Sequence, residues 1–255
     1  MNRFSVSSLV LLLLCYYLLG GTINAYAQND VQNDLHIALE ILSTLSNEEL
    51  AFIVKVHDKT EEETIEIATK LANEGNGYCA NYLGNHYSAA GSSQSDYKKA
   101  FHWYSKAVEL GYIDGYNGLG FLFENGFGTE KNEYQAFAFY TKAANEGVPN
   151  AYINLGQCYA WGIGTEQDLN KALEWFTKGT ITNERVAFVN CGVILFVLER
   201  YEEAISYLEK SCEMGSPVAF FQLGLCYRDG KGVEKNEQKS RVLFMKAKEL
   251  GYSED

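Results

Sequence analysis

The chain has 255 residues, 47% of them hydrophobic, only 2 prolines, and a formal charge of −12. That is ample material for a buried core, and the shortage of proline suits helices. The acidic balance favours solubility and repels nucleic acid and anionic lipid at long range, so neither is an expected partner.

The first 27 residues stand apart from the rest. Arg3 supplies a positive start, Leu9 to Leu19 is an uncharged apolar run, and Ala25-Tyr26-Ala27 is a small-x-small cleavage site. This reads as a secretory signal peptide cut before Gln28. The run falls short of the ~20 apolar residues that a membrane span needs. A lipoprotein reading would use Cys15, but Leu14 precedes it where a small residue is required. The expectation is an exported protein, periplasmic or secreted, with no membrane contact after cleavage. Five cysteines remain: Cys79, Cys158, Cys191, Cys212 and Cys226. No CxxC occurs, so metal-ligand spacing is absent and no cofactor is implied. In an exported chain some could pair; the alternative is small apolar residues inside helices.

Residues 28–76 are expected to form a helical cap. Asp34 to Leu45 has apolar residues at helical spacing. Ser46-x-x-Glu49 is a capping box for a helix from Glu48 to about Val56. Thr60-x-x-Glu63 is another, for a helix to about Asn73. The ending Lys70-Leu-Ala-Asn-Glu-Gly75 matches Lys106 to Gly111 and Lys142 to Gly147, which marks a degenerate half-repeat.

From residue 77 to 255 about five repeats follow. A first glycine falls at Gly84, Gly120, Gly156, Gly192 and Gly224, in steps of 36, 36, 36 and 32. A small residue opens the second helix at Ala100, Ala136, Ala172, Ala204 and Ser240. An aromatic three residues after the glycine recurs as Tyr87, Phe123, Tyr159 and Tyr227, with Leu195 in the fourth unit. A closing glycine stands at Gly111, Gly147, Gly215 and Gly251, with Asn183 in its place in the third unit. Self-similarity at this period is the mark of a solenoid. Glycine inside a helix costs roughly 1 kcal/mol against alanine, so five in register need a packing reason. Each unit reads as a helix, a turn and an antiparallel helix. The first glycine and the small residue are expected where the two backbones cross closely. Gly126-x-Gly128, Gly162-x-Gly164 and Gly230-x-Gly232 supply the turns. The fold class is all-α: a right-handed α/α superhelical solenoid of helix-turn-helix repeats.

These units resemble the Sel-one-like repeat family, relatives of the tetratricopeptide repeat. The units at Ala151 and Ala219 meet its pattern of Leu-Gly, Tyr, Gly-x-Gly and Lys-Ala almost in full. Two units depart from it: the first has Ala89-Ala-Gly91-Ser-Ser for its turn, and the fourth is shorter and closer to a tetratricopeptide unit. The resemblance implies a non-catalytic scaffold that holds protein or peptide partners on a concave face.

Candidate chemistry is sparse. The glycine pairs lack the rest of a phosphate loop. Ser95-x-x-Lys98 matches the serine motif of penicillin-recognising enzymes, and cysteine-rich members of the repeat family have been linked to β-lactam binding. The companion S-D-N and K-T-G elements are missing, so Ser95 and Asp96 read as helix caps. A β-lactam-interacting hydrolase is kept as a rival. His36, His57, His86 and His102 read as ordinary helix residues. The recurring Lys106, Lys142, Lys210 and Lys246 have glutamates at i+3 or i+4 and read as a neutralised face.

The first helices should line the concave side. The positions around the first glycine then offer Asn81, Asn85, Asn117, Phe121, Glu124, Asn125, Gln157 and Trp161 to a partner. Amides beside exposed aromatics suit an extended peptide backbone. The alternative is that Phe121 and Trp161 pack between hairpins. Val189, Val193 and Phe196 are either core or an apolar end for a partner or a second copy. A homo-oligomer, as in a self-associating structural envelope protein, is the second rival.

Overall fold

The computed structural model describes residues 45–57, 59–89, 93–182 and 185–252. The signal-peptide reading, the helix expected from Asp34, and Asn183 lie outside these residues. Every regular element among them is helical. The chain divides into two compact units, one ending at Gly115 and one beginning at Tyr116.

The first unit holds α1 (Asn47–Val56), α2 (Glu61–Asn73), α3 (Gly77–Ala89) and α4 (Gln94–Glu109). Both expected capping boxes form. The Ser46 amide donates to Glu49 Oε2 at 2.6 Å while Ser46 Oγ accepts from the Glu49 amide, and Thr60 with Glu63 repeats the device. Two otherwise orphaned amides are satisfied at each start. Phe52 of α1 is buried against Tyr78 and Tyr82 of α3, in a core shared with Ala68, Ala72, Cys79, Leu83 and Ala107. One expectation is corrected here. The cap of α4 is Ser93, which accepts from the Asp96 amide, so Ser95 is the second residue of the helix and lies exposed.

The second unit takes α5 (Asp114–Asn125) from Tyr116 onward, then α6 (Glu133–Asn145), α7 (Pro149–Trp161), α8 (Leu169–Gly179), α9 (Arg185–Val197), α10 (Tyr201–Glu213), α11 (Pro217–Asp229) and α12 (Glu237–Glu249). Asn132, Asp168 and Asn236 cap the second helices α6, α8 and α12 in the same extended geometry. Pro149 and Pro217 open α7 and α11, where a missing N–H costs nothing. The closing glycines take positive φ, from 76° at Gly215 to 91° at Gly147, which ends the second helices in a left-handed residue.

The register glycines lie inside helices, and what fills the space they leave differs from expectation. It is a large side chain of the second helix, four residues after the small one. Tyr104 lies over Gly84, Tyr140 over Gly120, Phe176 over Gly156, Leu208 over Gly192 and Phe244 over Gly224. A Cβ on Gly156 would sit 2.6 Å from the Phe176 ring. Ala100, Ala136, Ala172 and Ala204 are fully buried beside these crossings. The turn glycines also do more than bend the chain. A methyl on Gly164 would be driven into the Glu133 carbonyl at the start of α6, and one on Gly232 would lie 2.6 Å from the Tyr201 carbonyl carbon at the start of α10. These two double-glycine turns therefore lean on the second helix of the preceding hairpin.

The lysine expectation holds only in part. Lys210–Glu213 at 2.9 Å and Lys246–Glu249 at 3.2 Å pair along their helices. Lys106 instead donates to Asn73 and lies near the Trp103 ring, and Lys142 lies over Tyr116 and donates to its hydroxyl. A ring, one turn back for Lys106 and on the facing helix for Lys142, offers the ammonium a close, partly desolvated face that an exposed carboxylate does not.

Candidate functional site

In the first unit, Asn81 is 7% exposed and its Oδ1 has no hydrogen-bond partner. Asn85 is exposed but engaged: its Oδ1 accepts the Tyr104 hydroxyl at 2.8 Å, and that oxygen lies 3.0 Å from Ser88 Oγ. The second unit repeats the device at Glu124, whose Oε2 accepts the Tyr140 hydroxyl at 2.7 Å. Burial raises the pKa of both phenols, and at Tyr140 the Glu124 carboxylate raises it further. Asn85 and Glu124 thus anchor the rings that fill the glycine notches. Asn125 is exposed and its amide donates to the Phe121 carbonyl one turn back.

Phe176 has no hydroxyl, so α7 needs no acceptor for it. Gln157 is half-buried and Trp161 is 63% exposed; Phe121 on α5 is 39% exposed, edge-on to Phe127. Neither aromatic is buried between hairpins. Val189 and Phe196 pack partly into the core shared by α10, α11 and α12, with Phe196 edge-on to Tyr201.

The structure adds residues that the sequence reading passed over. Asn154 on α7 donates through Nδ2 to Asn117 Oδ1 on α5 at 2.8 Å, an amide bridge from one hairpin to the next. Asn190 on α9 and Gln222 on α11 hold the same repeat position as Asn154. One repeat earlier, the residue placed toward Asn190 as Asn117 is toward Asn154 is Ile153, which offers no acceptor. Asn190 Nδ2 is buried and has no partner. A ladder of amides thus runs across α7, α9 and α11, closed at one rung and open at the next. The signal was available: an amide at one position in three consecutive units.

The chemistry of this face is neutral hydrogen bonding beside aromatic surface. The five cysteines are unpaired. Burial pushes the Cys158 thiol up to about 12 and Cys191 up to about 11, so both stay protonated at neutral pH. Among the described residues no group of His, Cys, Asp and Glu could hold a metal ion, and no helix is long and apolar enough to cross a membrane. His86 lies 3.5 Å from Glu61, an ion pair if the imidazole is protonated.

The Sel1 repeat model matches residues 77–112, 113–148, 149–180, 197–216 and 217–252. No curated protein sequence matches the chain. Solved structures do. A Sel1 repeat protein from Oxalobacter formigenes aligns with a TM-score of 0.70 at 23% identity, over 81% of this chain and 84% of its own. YrrB, described as a TPR protein with an unusual peptide-binding site, aligns at 0.53 and 21% identity, over 73% and 93%. The immunity protein PA5088 from Pseudomonas aeruginosa aligns at 0.51 and 18%, over 83% and 85%. Repeated hairpins that each close over a register glycine, with these neighbours, define an α-solenoid of the tetratricopeptide-like class. Within that class, the chain belongs to the Sel1 repeat family. Such repeats are commonly protein–protein interaction scaffolds and generally non-catalytic.

Proposed function

We propose that this chain is an exported, non-catalytic scaffold that holds an extended peptide segment of a partner protein against its first helices. The observation that carries this reading is the open rung of the amide ladder. A buried donor without a partner is costly, about 1–3 kcal/mol, and a backbone carbonyl of an extended segment is a neutral acceptor that would satisfy Asn190 Nδ2 once the half-buried side chain turns outward. Asn154, Gln157 and Gln222 offer further amides, and Trp161 offers a large exposed surface for an apolar side chain. Recognition through amides and one aromatic reads backbone more than sequence, so affinity is expected to be modest per contact. The peptide-binding site for which YrrB is described is in keeping with this use of the architecture.

Peptides selected from a random display library against the purified chain test the reading. Binders that lose affinity on both Trp161→Ala and Asn190→Leu support it; binders indifferent to both overturn it. Turnover of a chromogenic β-lactam, abolished by Ser95→Ala, would overturn the non-catalytic part. Export is tested by cell fractionation and N-terminal sequencing, with a mature chain beginning at Gln28 as the expected result.

A further inference from the structure

The last helix carries apolar residues that nothing among the described residues covers. Val242 is 60% exposed and Met245 is 64% exposed. With Phe220, Leu243, Lys246 and Glu249 they line an open groove of about 470 Å³. At the repeat positions of Val242 and Met245, α8 carries Glu174 and Thr177 and α10 carries Ser206 and Glu209, all exposed and polar, so the apolar pair is peculiar to α12.

The charges around the groove specify what fits it. Arg241 and Glu249 stand four residues before and after Met245, so all three lie on one face of the helix. Arg241 has no ion pair among the described residues, and Glu249 pairs with the exposed Lys246 at 3.2 Å. A second α12, laid antiparallel and crossing at Met245, brings each Arg241 to the Glu249 of the other copy. One two-fold axis makes both pairs at once, as a self-complementary interface requires. The helix carries Lys239, Arg241, Lys246 and Lys248 against Glu237 and Glu249, so copies meeting here avoid the acid-on-acid repulsion of a chain at −12. We propose that this face is an interface for a second copy of the chain, with Val242 and Met245 at its apolar centre. The proposal does not depend on peptide binding by the first helices.

Sedimentation velocity of the purified chain over a concentration series tests it. The expected result is a reversible dimer. Met245→Glu weakens it by roughly tenfold or more, since each copy carries a charge into the centre. Arg241→Glu and Glu249→Arg each weaken it by about tenfold, and the two together restore it to within about threefold. All of these positions are exposed, and circular dichroism confirms that each variant is folded. A chain that is monomeric at every concentration overturns the proposal, as it would be if its own N-terminal residues or a foreign partner filled the groove. A dimer indifferent to Met245→Glu, or a double reversal that fails to restore, overturns it equally.

Discussion

Two neighbouring hairpins of the second unit solve the same packing problem with different parts. The α7/α8 hairpin uses a double-glycine turn, an Asp168 cap and the Phe176 ring over Gly156. The α9/α10 hairpin is four residues shorter and has none of these. Its turn rests on Glu199, the one positive-φ residue other than glycine among those described, at 58°. Its second helix starts at Arg200 with no side-chain cap, although the guanidinium pairs with Glu203 at 2.7 Å. Leu208 takes the place of the ring over Gly192. The bare glycine, the buried alanine beside it and a bulky partner survive in both. The crossing is therefore the indispensable feature, and turn and cap are replaceable.

The sharpest way to break this comparison is at the turn that exists in one hairpin only. Gly164→Ala combines a positive φ of 65° with a clash against the Glu133 carbonyl, a backbone atom that cannot step aside. It is expected to cost about 3 kcal/mol, read from the urea midpoint. The crossings come next. Gly156→Ala pushes a methyl against a ring that is itself fully buried, and should cost about 2 kcal/mol. Gly192→Ala meets Leu208 Cδ2 at 2.6 Å and Cγ at 2.7 Å, atoms of an equally buried side chain that is smaller and less rigid than a ring, and should cost about half as much. Equal losses at the two sites would show that the partner's stiffness does not matter.

A smaller effect belongs to the cap. Asp168→Ala is expected to lower the melting temperature at neutral pH. The carboxylate accepts from the Lys171 and Asn170 amides, and the Lys171 bond holds its pKa below the ordinary aspartate value. A lowered folded pKa contributes stability above the unfolded pKa, which is lost as pH falls through the folded one. The gap between variant and parent should therefore close on the acid side of the ordinary aspartate range. Arg200→Ala at the same helix position should show a gap of the same sign, closing on the acid side of the ordinary glutamate range, because the guanidinium holds the Glu203 pKa down. The smallest change has the opposite sign. Glu199→Gly removes a side chain from a left-handed residue and should stabilise by about 0.5 kcal/mol, measurable by the same urea titration.

The fold was readable because the small residues recur at fixed steps and have no other use inside helices. Ser46 and Thr60 announced their capping boxes for a similar reason: the glutamate three residues on has one obvious partner. The site was less readable. Asn85 and Glu124 stand at helical positions that face outward, yet each receives a phenol from residues 16 to 19 positions later, a pairing that no local pattern reveals. Ser93 lost the cap to Ser95 in the sequence reading because three serines crowd that start. Asn190 was missed because its meaning depends on Ile153, a residue whose only contribution is to lack an acceptor.

The leaning of the Gly164 and Gly232 turns on the preceding hairpin has a direction. Gly164 rests on α6 and Gly232 on α10, and both supports are made before the residues that need them. A ribosome releasing this chain from its N-terminus presents every such seat ahead of its occupant. Assembly can therefore keep pace with synthesis, and a nascent chain halted after α8 already owns what its last bend requires, whereas a fragment starting at α7 does not.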